Sequence, residues 1–174
     1  GRRQRQMCIR DRLKCATGDG NLLMNVGPMP DGTMPPDHVA RLREAGDWLK
    51  AHGEAVYGTR GGPFRNDETG GMTCRGNTIY VHVWDWPAHR VCLPEINARI
   101  LSVYSPTARD LHHEMVDGRL CFSVGEQDRL SLDTLVVLTL DQPAEAVRNN
   151  DLPWRLQQTG KGHAALIVED FLGQ

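Results

Sequence analysis

The spacing of hydrophobic residues divides the chain into two parts. In the first part a uniformly apolar run, Leu22 to Met24, is followed by a loop rich in glycine and proline and then by a segment with helical periodicity. A short strand that is apolar on both faces, followed by a loop and a helix, is the unit from which parallel sheets are built. The first part therefore predicts one β/α unit.

The helix of this unit is predicted to run from Pro36 to about His52. Proline fits the first turn of a helix because its missing N–H is not needed there, and Gly53 is placed to end the helix as a C′ residue. Five positions at helical spacing form the apolar face: Val39, Leu42, Ala45, Gly46 and Leu49.

In the second part the hydrophobic period changes to two, the period of a strand. Residues 79–83 alternate in this way, and shorter apolar runs lie at 91–93 and 100–103. Asp117-Gly118 is a hairpin signal, and 134–140 is the last strand-like run. Several short strands without helices between them are typical of an antiparallel β-sandwich. The predicted fold class is therefore mostly β, an antiparallel β-sandwich preceded by one β/α unit.

Four segments follow from this pattern. Residues 1–12 are basic, lack amphipathic periodicity and resemble translated adaptor sequence, so we leave them out of the predicted fold; a nucleic-acid-binding arm is the alternative. Residues 13–56 form the β/α unit, 57–142 form the sandwich, and 143–174 remain an unassigned tail that ends in one further strand or helix. A closed (β/α)8 barrel takes about 250 residues, so the single unit is expected to be the remnant of a barrel that begins upstream.

Composition and charge exclude several classes of function. The 174 residues are 40% hydrophobic and 24% charged, as in globular proteins, and the net charge of -2 argues against nucleic acid or an anionic membrane as a partner. No run approaches the length of about 18 apolar residues that a membrane span needs. The five cysteines have no zinc-ligand spacing and are interpreted as buried or unused thiols. His112 and His113 would point to opposite faces of a strand, so neither a metal nor a cofactor is predicted.

The strongest candidate for a functional position is Asn25. It follows the predicted strand at its carboxyl end, where barrel active sites are built. Asn25 could contact a substrate or brace the adjacent loop. Gly27 and Pro28 are expected to fix the chain reversal beside it, so these three residues are the predicted substrate-proximal positions.

Other conspicuous residues are interpreted structurally. Trp84-Asp85-Trp86 closes a predicted strand, which indicates aromatic packing and not a catalytic acid. His82 and His89 are expected at a surface or interface. Asp31 and Asp37 lie near a helix start, where acidic side chains stabilise the exposed N–H groups.

The segment 18–64 closely resembles the alpha-L-fucosidases of glycoside hydrolase family 29. Their last barrel strand carries Gly-Asn-Leu-Leu-Leu-Asn-Val-Gly-Pro, followed by Asp-Gly-Thr-Ile-Pro-Pro. The matching positions are Gly20–Pro28, Asp31–Pro36, Trp48–Leu49 and Gly53–Thr59. Met24 and Met34 each replace another apolar residue. Further downstream, 74–87 and 133–141 resemble the start and end of the family's C-terminal sandwich, so the resemblance covers Leu13 to Asp141.

The resemblance implies a retaining enzyme that removes terminal alpha-L-fucose from fucosylated glycans without a cofactor. Such enzymes need two carboxyl groups about 5–5.5 Å apart. In the family both precede the final barrel strand, so they are expected upstream of Leu13 and no catalytic residue is predicted in this chain. The resemblance leaves open whether the parent enzyme is secreted or periplasmic, and any signal peptide would also lie upstream.

One alternative is a free-standing carbohydrate-binding module that stacks sugars on Trp84, Trp86 or Tyr104. Another is a purely structural sandwich that supports the barrel. A free-standing module would not need a barrel strand and helix. Their presence favours the hypothesis that the chain is part of an alpha-L-fucosidase.

Overall fold

The computed structural model describes residues 2–129, 132–158 and 164–165. The helices are α1 (Arg2–Thr17), α2 (Pro36–His52) and α3 (Glu126–Arg129), with 3-10 turns at Gly53–Ala55 and Ala144–Val147. The strands are β1 (Arg60–Gly61), β2 (Phe64–Arg65), β3 (Gly70–Arg75), β4 (Thr78–Val83), β5 (Val91–Cys92), β6 (Ile100–Tyr104), β7 (Leu111–Val116), β8 (Arg119–Val124), β9 (Thr134–Leu140), β10 (Asn149–Pro153), β11 (Gln157–Gln158) and β12 (Ala164–Ala165).

Two antiparallel sheets form the predicted sandwich. One has the strand order β1-β3-β4-β9-β6, and the other has the order β5-β8-β7. Their facing side chains make one core that includes Val81 and Leu138 from the first sheet and Leu120 and Phe122 from the second. The predicted antiparallel sandwich is confirmed.

The hairpin predicted at Asp117-Gly118 joins β7 to β8. Both residues have positive φ, 50° and 77°, as a two-residue type I′ turn requires. The register places Val116 opposite Arg119, so the turn residues alone were sufficient to predict this connection.

The β/α unit is present only in part. Its helix is confirmed as α2, whereas Leu22–Met24 are not paired as a strand. A parallel strand needs hydrogen-bonded neighbours on the sheet, and no described segment pairs with these residues. Leu23 consequently leaves 93% of its surface exposed. Gly53 has φ −61° and begins a 3-10 turn, so the left-handed helix end predicted there is wrong.

Residues 2–12, which we left out of the predicted fold, are helical. Ile9 and Leu13 of α1 are buried in a small cluster with Ala45 and Trp84. The expectation that residues before Leu13 take no part in the fold is therefore wrong for Ile9. Two apolar side chains one turn apart are enough to seat a helix against the sandwich, and such a pair gives little periodicity to detect.

The outer face of the five-stranded sheet is also covered. Tyr80, Leu135 and Val137 form a third buried cluster with Ala55, and the neighbouring His82 has no exposed surface. The predicted surface position of His82 is wrong, because alternation along a strand does not show whether its second face is covered.

The segment after residue 142 adds to the sandwich. Ala144, Val147 and Trp154 belong to the main core, and β10 pairs with β2 in parallel. The strand or helix expected at 163–172 lies outside the described residues, except for Ala164–Ala165.

A disulfide joins Cys92 to Cys121 across β5 and β8. The interpretation of all cysteines as unused thiols is therefore wrong for these two. Cys8, Cys15 and Cys74 are free thiols.

Candidate functional site

The end of α1, the segment that follows it and the loop before β1 enclose a polar cleft of about 490 Å³. Its walls come from both the helical part of the chain and the sandwich. The lining residues are Arg12, Cys15, Ala16, Asp19, Gly20, Asn21, Leu22, Val56, Tyr57, Gly58, Thr59 and Arg60.

Asp19 is the sole carboxylate among the residues that line this cleft. Its φ of 61° lies in the left-handed region that aspartate tolerates better than most residues. Arg60 donates from Nε to Oδ1 at 2.9 Å and from Nη2 to Oδ2 at 2.5 Å, and the Gly61 amide donates to Oδ1 at 3.1 Å. These hydrogen bonds, first those from Arg60, hold the pKa of the Asp19 carboxyl below its ordinary value.

The cleft has few groups that could perform chemistry. The guanidinium of Arg12 stacks over the Tyr57 ring at 5.3 Å, and the Asp19 carboxylate is engaged by Arg60. A general acid needs a carboxyl group that keeps its proton near neutral pH, whereas a lowered pKa keeps Asp19 ionised. The cleft can thus bind polar groups, but it lacks the carboxyl pair of a retaining glycosidase.

The predicted substrate-proximal residues Asn25, Gly27 and Pro28 lie outside the cleft. All three are exposed in the irregular segment between α1 and α2. The segment turns at Asp31, whose Oδ1 accepts hydrogen bonds from the Thr33 amide at 3.0 Å and from the Thr33 hydroxyl at 2.7 Å. Asp31 therefore stabilises the loop and does not cap the helix.

The tryptophans near the end of β4 are packing residues. Trp84 is 2% exposed, and its indole N–H donates to the Glu68 carbonyl at 2.7 Å. Trp86 packs edge-on against Phe122 at 6.0 Å and donates to the Thr134 hydroxyl at 3.0 Å. The interpretation of 84–86 as a packed strand end is confirmed.

A buried polar chain that the sequence analysis missed crosses the outer face of the sheet. Asp133 Oδ2 lies 2.8 Å from His82 Nδ1, and His82 Nε2 lies 3.2 Å from the Thr73 hydroxyl. That hydroxyl donates to the Ala55 carbonyl at 2.5 Å. The order Asp-His-Thr is that of a catalytic triad, but all three side chains are buried and the hydroxyl proton is committed to Ala55. The chain is structural.

The described residues contain no group of three or more His, Cys, Asp or Glu side chains that could hold a metal ion. His112 instead pairs with Asp110 at 3.0 Å on the surface of β7. None of the helices in this part of the chain has the length and apolar character that a membrane span requires.

The helical part of the chain is similar to a known family. Residues 3–54 match the family model of alpha-L-fucosidase. Over 71 residues the chain is 44% identical to the alpha-L-fucosidase of Branchiostoma floridae, a match that covers 39% of this chain and 16% of that protein. Over 59 residues it is 42% identical to the plasma alpha-L-fucosidase of Rattus norvegicus, covering 34% of this chain and 13% of the relative.

The fold comparison extends into the sandwich. Alpha-L-fucosidase isoenzyme 1 from Paenibacillus thiaminolyticus superimposes on 79% of this chain with a TM-score of 0.67 and 24% identity, over 35% of its own length. At this identity the likeness establishes the fold. The matched part of the chain spans 16% and 13% of the lengths of these two relatives.

Proposed function

We propose that the chain is the C-terminal part of a retaining alpha-L-fucosidase, because its residues 3–54 match the family model of alpha-L-fucosidase. The parent enzyme hydrolyses terminal alpha-L-fucose from glycoconjugates, and its substrate is a fucosylated glycan. The sandwich supports the end of the catalytic barrel. The chain by itself contributes neither the nucleophile nor the acid/base.

One observation supports the proposal that the reacting carboxyl groups of the parent enzyme lie outside this chain. Asp19 is the single carboxylate of the cleft beside the family motif, and Arg60 and Gly61 occupy both of its oxygens. A retaining glycosidase requires two carboxyl groups facing one glycosidic bond. The reacting groups of the parent must therefore come from outside this cleft.

The motif loop is proposed to approach the substrate in the parent enzyme. Asn25, Gly27 and Pro28 follow the final barrel strand, whose carboxyl end faces the active site in barrels of this type. The Asn25 amide could donate to a sugar hydroxyl or acceptor, and Gly27 allows the backbone to come close. Their exposure in this chain is consistent with a surface that the rest of the barrel covers.

A chimera tests this function. In the Branchiostoma floridae relative, the segment that matches this chain and everything after it is replaced by the corresponding residues of this chain, with α1 kept intact. We expect the chimera to release the aglycone from an aryl alpha-L-fucoside, and this chain alone to release none above buffer. Turnover by the pure chain, or a folded chimera without hydrolysis, would contradict the proposal.

The alternative of a free-standing carbohydrate-binding module lacks a stacking surface at the tryptophans, because Trp84 and Trp86 are packed. Tyr104, which is 49% exposed, is the remaining candidate platform of that alternative. We expect the tryptophan fluorescence of the chain to stay unchanged as fucose is titrated to millimolar concentration. A saturable change that Trp86→Ala or Tyr104→Ala abolishes would establish the module instead.

A further inference from the structure

One cross-strand pair of the sandwich touches both ends of the segment that carries the family motif. Gly61 of β1 and Thr73 of β3 are register partners. The Gly61 amide donates to Asp19, one residue before the motif, and the Thr73 hydroxyl donates to the carbonyl of Ala55, just after α2. The beginning and the end of the segment 19–55 are therefore held at the same point of one sheet.

The first contact, between Gly61 and Asp19, brings the backbone of β1 very close to the end of α1. A Cβ atom at Gly61 would overlap backbone atoms of Ala16, Thr17 and Asp19, so glycine is required where the end of α1 meets β1. Asn66 adds hydrogen bonds from its side-chain N–H to the Lys14 carbonyl at 3.1 Å and to the Thr17 hydroxyl at 2.9 Å.

The second contact, between Thr73 and Ala55, is stabilised by the neighbouring side chains of His82 and Asp133. The Thr73 hydroxyl gives its proton to Ala55, its oxygen lies 3.2 Å from His82 Nε2, and Asp133 fixes the other side of the imidazole. All of these groups are buried, so water does not compete for their hydrogen bonds.

Between these two contacts, α2 packs on α1 and Trp84 through Ala45 and the half-buried Trp48. Ala45 is the one buried residue of α2, and the motif loop is exposed. We infer that the pair Gly61–Thr73 is a positioning element that sets the motif loop, and with it Asn25, relative to the rest of the active site. The inference rests on the proposed function; Asp19, Arg60 and Thr73 act through the loop and do not contact substrate.

Hydrogen exchange in the chain as it stands tests the two contacts. Asp19→Gly removes the acceptor of the Gly61 amide without strain, since glycine adopts the positive φ of this position. We expect the Gly61 amide to exchange at least tenfold faster in this variant. Thr73→Val should likewise accelerate the amides of Val56 and Tyr57, which bond to the Gly53 carbonyl in the adjoining turn, whereas Thr73→Ser keeps the hydroxyl and should restore slow exchange.

The chimera described above tests the positioning role. We expect the double variant Asp19→Gly/Thr73→Val to lose at least tenfold in kcat/KM per folded enzyme, since small displacements of positioning groups can cost up to about 100-fold. Thr73→Ser should stay within twofold. Glu114→Gln should do so too, because it breaks only an ion pair between β7 and Arg90, the residue before β5.

The outcomes separate the two claims. Unchanged exchange in both single variants, or a double variant within twofold of the unmodified chimera in kcat/KM, would overturn the positioning role. An inactive unmodified chimera would overturn the proposed function, and the exchange rates would still decide whether the pair Gly61–Thr73 holds the segment.

Discussion

The Nδ1 atom of His82 lies 2.8 Å from Oδ2 of Asp133, with both side chains withdrawn from solvent. Oδ1 of Asp133 has no hydrogen-bond partner among the described residues. The hydrogen bond to His82 is therefore the main interaction that offsets the free-energy cost of burying this carboxyl group. The pair joins β4 to the start of β9 and keeps the imidazole directed at Thr73.

Removing Asp133 should therefore be costly. Asp133→Ala leaves a buried imidazole nitrogen without its partner, and we expect the free energy of unfolding to fall by about 3 kcal/mol, the upper range for a hydrogen bond to a charged group. Urea titration followed by circular dichroism measures the change. Asp110→Ala is the matched control, because it breaks an exposed carboxylate–histidine pair and should change stability by less than about 0.5 kcal/mol. Equal effects would contradict the structural role.

The sandwich could be predicted because each strand carries its own signal. Residues 134–140 form a continuous apolar run, and Asp117-Gly118 specifies its own turn. The buried polar chain could not be predicted, because His82 and Asp133 are 51 residues apart and neither has a local pattern. The disulfide was missed for the same reason: the pairing of Cys92 with Cys121 follows from strand register, which the spacing of cysteines does not reveal.

The disulfide predicts the number of reactive thiols. When the chain is unfolded in denaturant without a reductant, a thiol reagent should detect Cys8, Cys15 and Cys74, and after reduction it should detect all five cysteines. Replacing both Cys92 and Cys121 with serine should lower the free energy of unfolding by about 3–4 kcal/mol, as closure of a loop of this length implies. Cys15→Ser serves as the control. Five reactive thiols before reduction would contradict the pairing.

The thiol of Cys74 predicts a loss of stability at high pH. Burial, reinforced by the Glu145 carboxylate, raises the pKa of this thiol from 9.0 to about 11. The folded state therefore holds its proton where the unfolded state releases it, so the stabilisation is complete below about pH 9 and is lost as the pH rises to about 11. Urea midpoints measured from pH 8 to 11 should fall more steeply for the unmodified chain than for Cys74→Ala. Parallel curves would refute this.

The effect of substituting Leu23 on stability should differ between this chain and a chimera that contains a complete barrel. In this chain its side chain is almost fully exposed, so Leu23→Ala should change the free energy of unfolding by less than about 0.5 kcal/mol. In the chimera the same residue would be part of a closed barrel, and the substitution should cost about 2–5 kcal/mol. Leu138→Ala, in the sandwich core, should cost that much in both proteins. A negligible effect of Leu23→Ala in an active chimera would contradict the barrel assignment.

The prediction of the substrate-proximal residues rests on their place after the predicted barrel strand and not on a visible site. Asn25 is exposed, and the cleft that the structure does form uses Asp19 and Arg60 instead. Neither of these has a signal in the sequence, because their pairing depends on how α1 meets β1. A motif can be found in a part of a protein, whereas the geometry of an active site needs every element that contributes to it.

The central claim is that this chain completes an alpha-L-fucosidase, and the reading frame that precedes residue 3, where the family match begins, tests it most directly in the source genome. We expect that frame to continue upstream into a (β/α) barrel that supplies the two carboxyl groups of a retaining glycosidase. A stop codon immediately upstream of residue 3, or an upstream domain without such a barrel, would contradict the account.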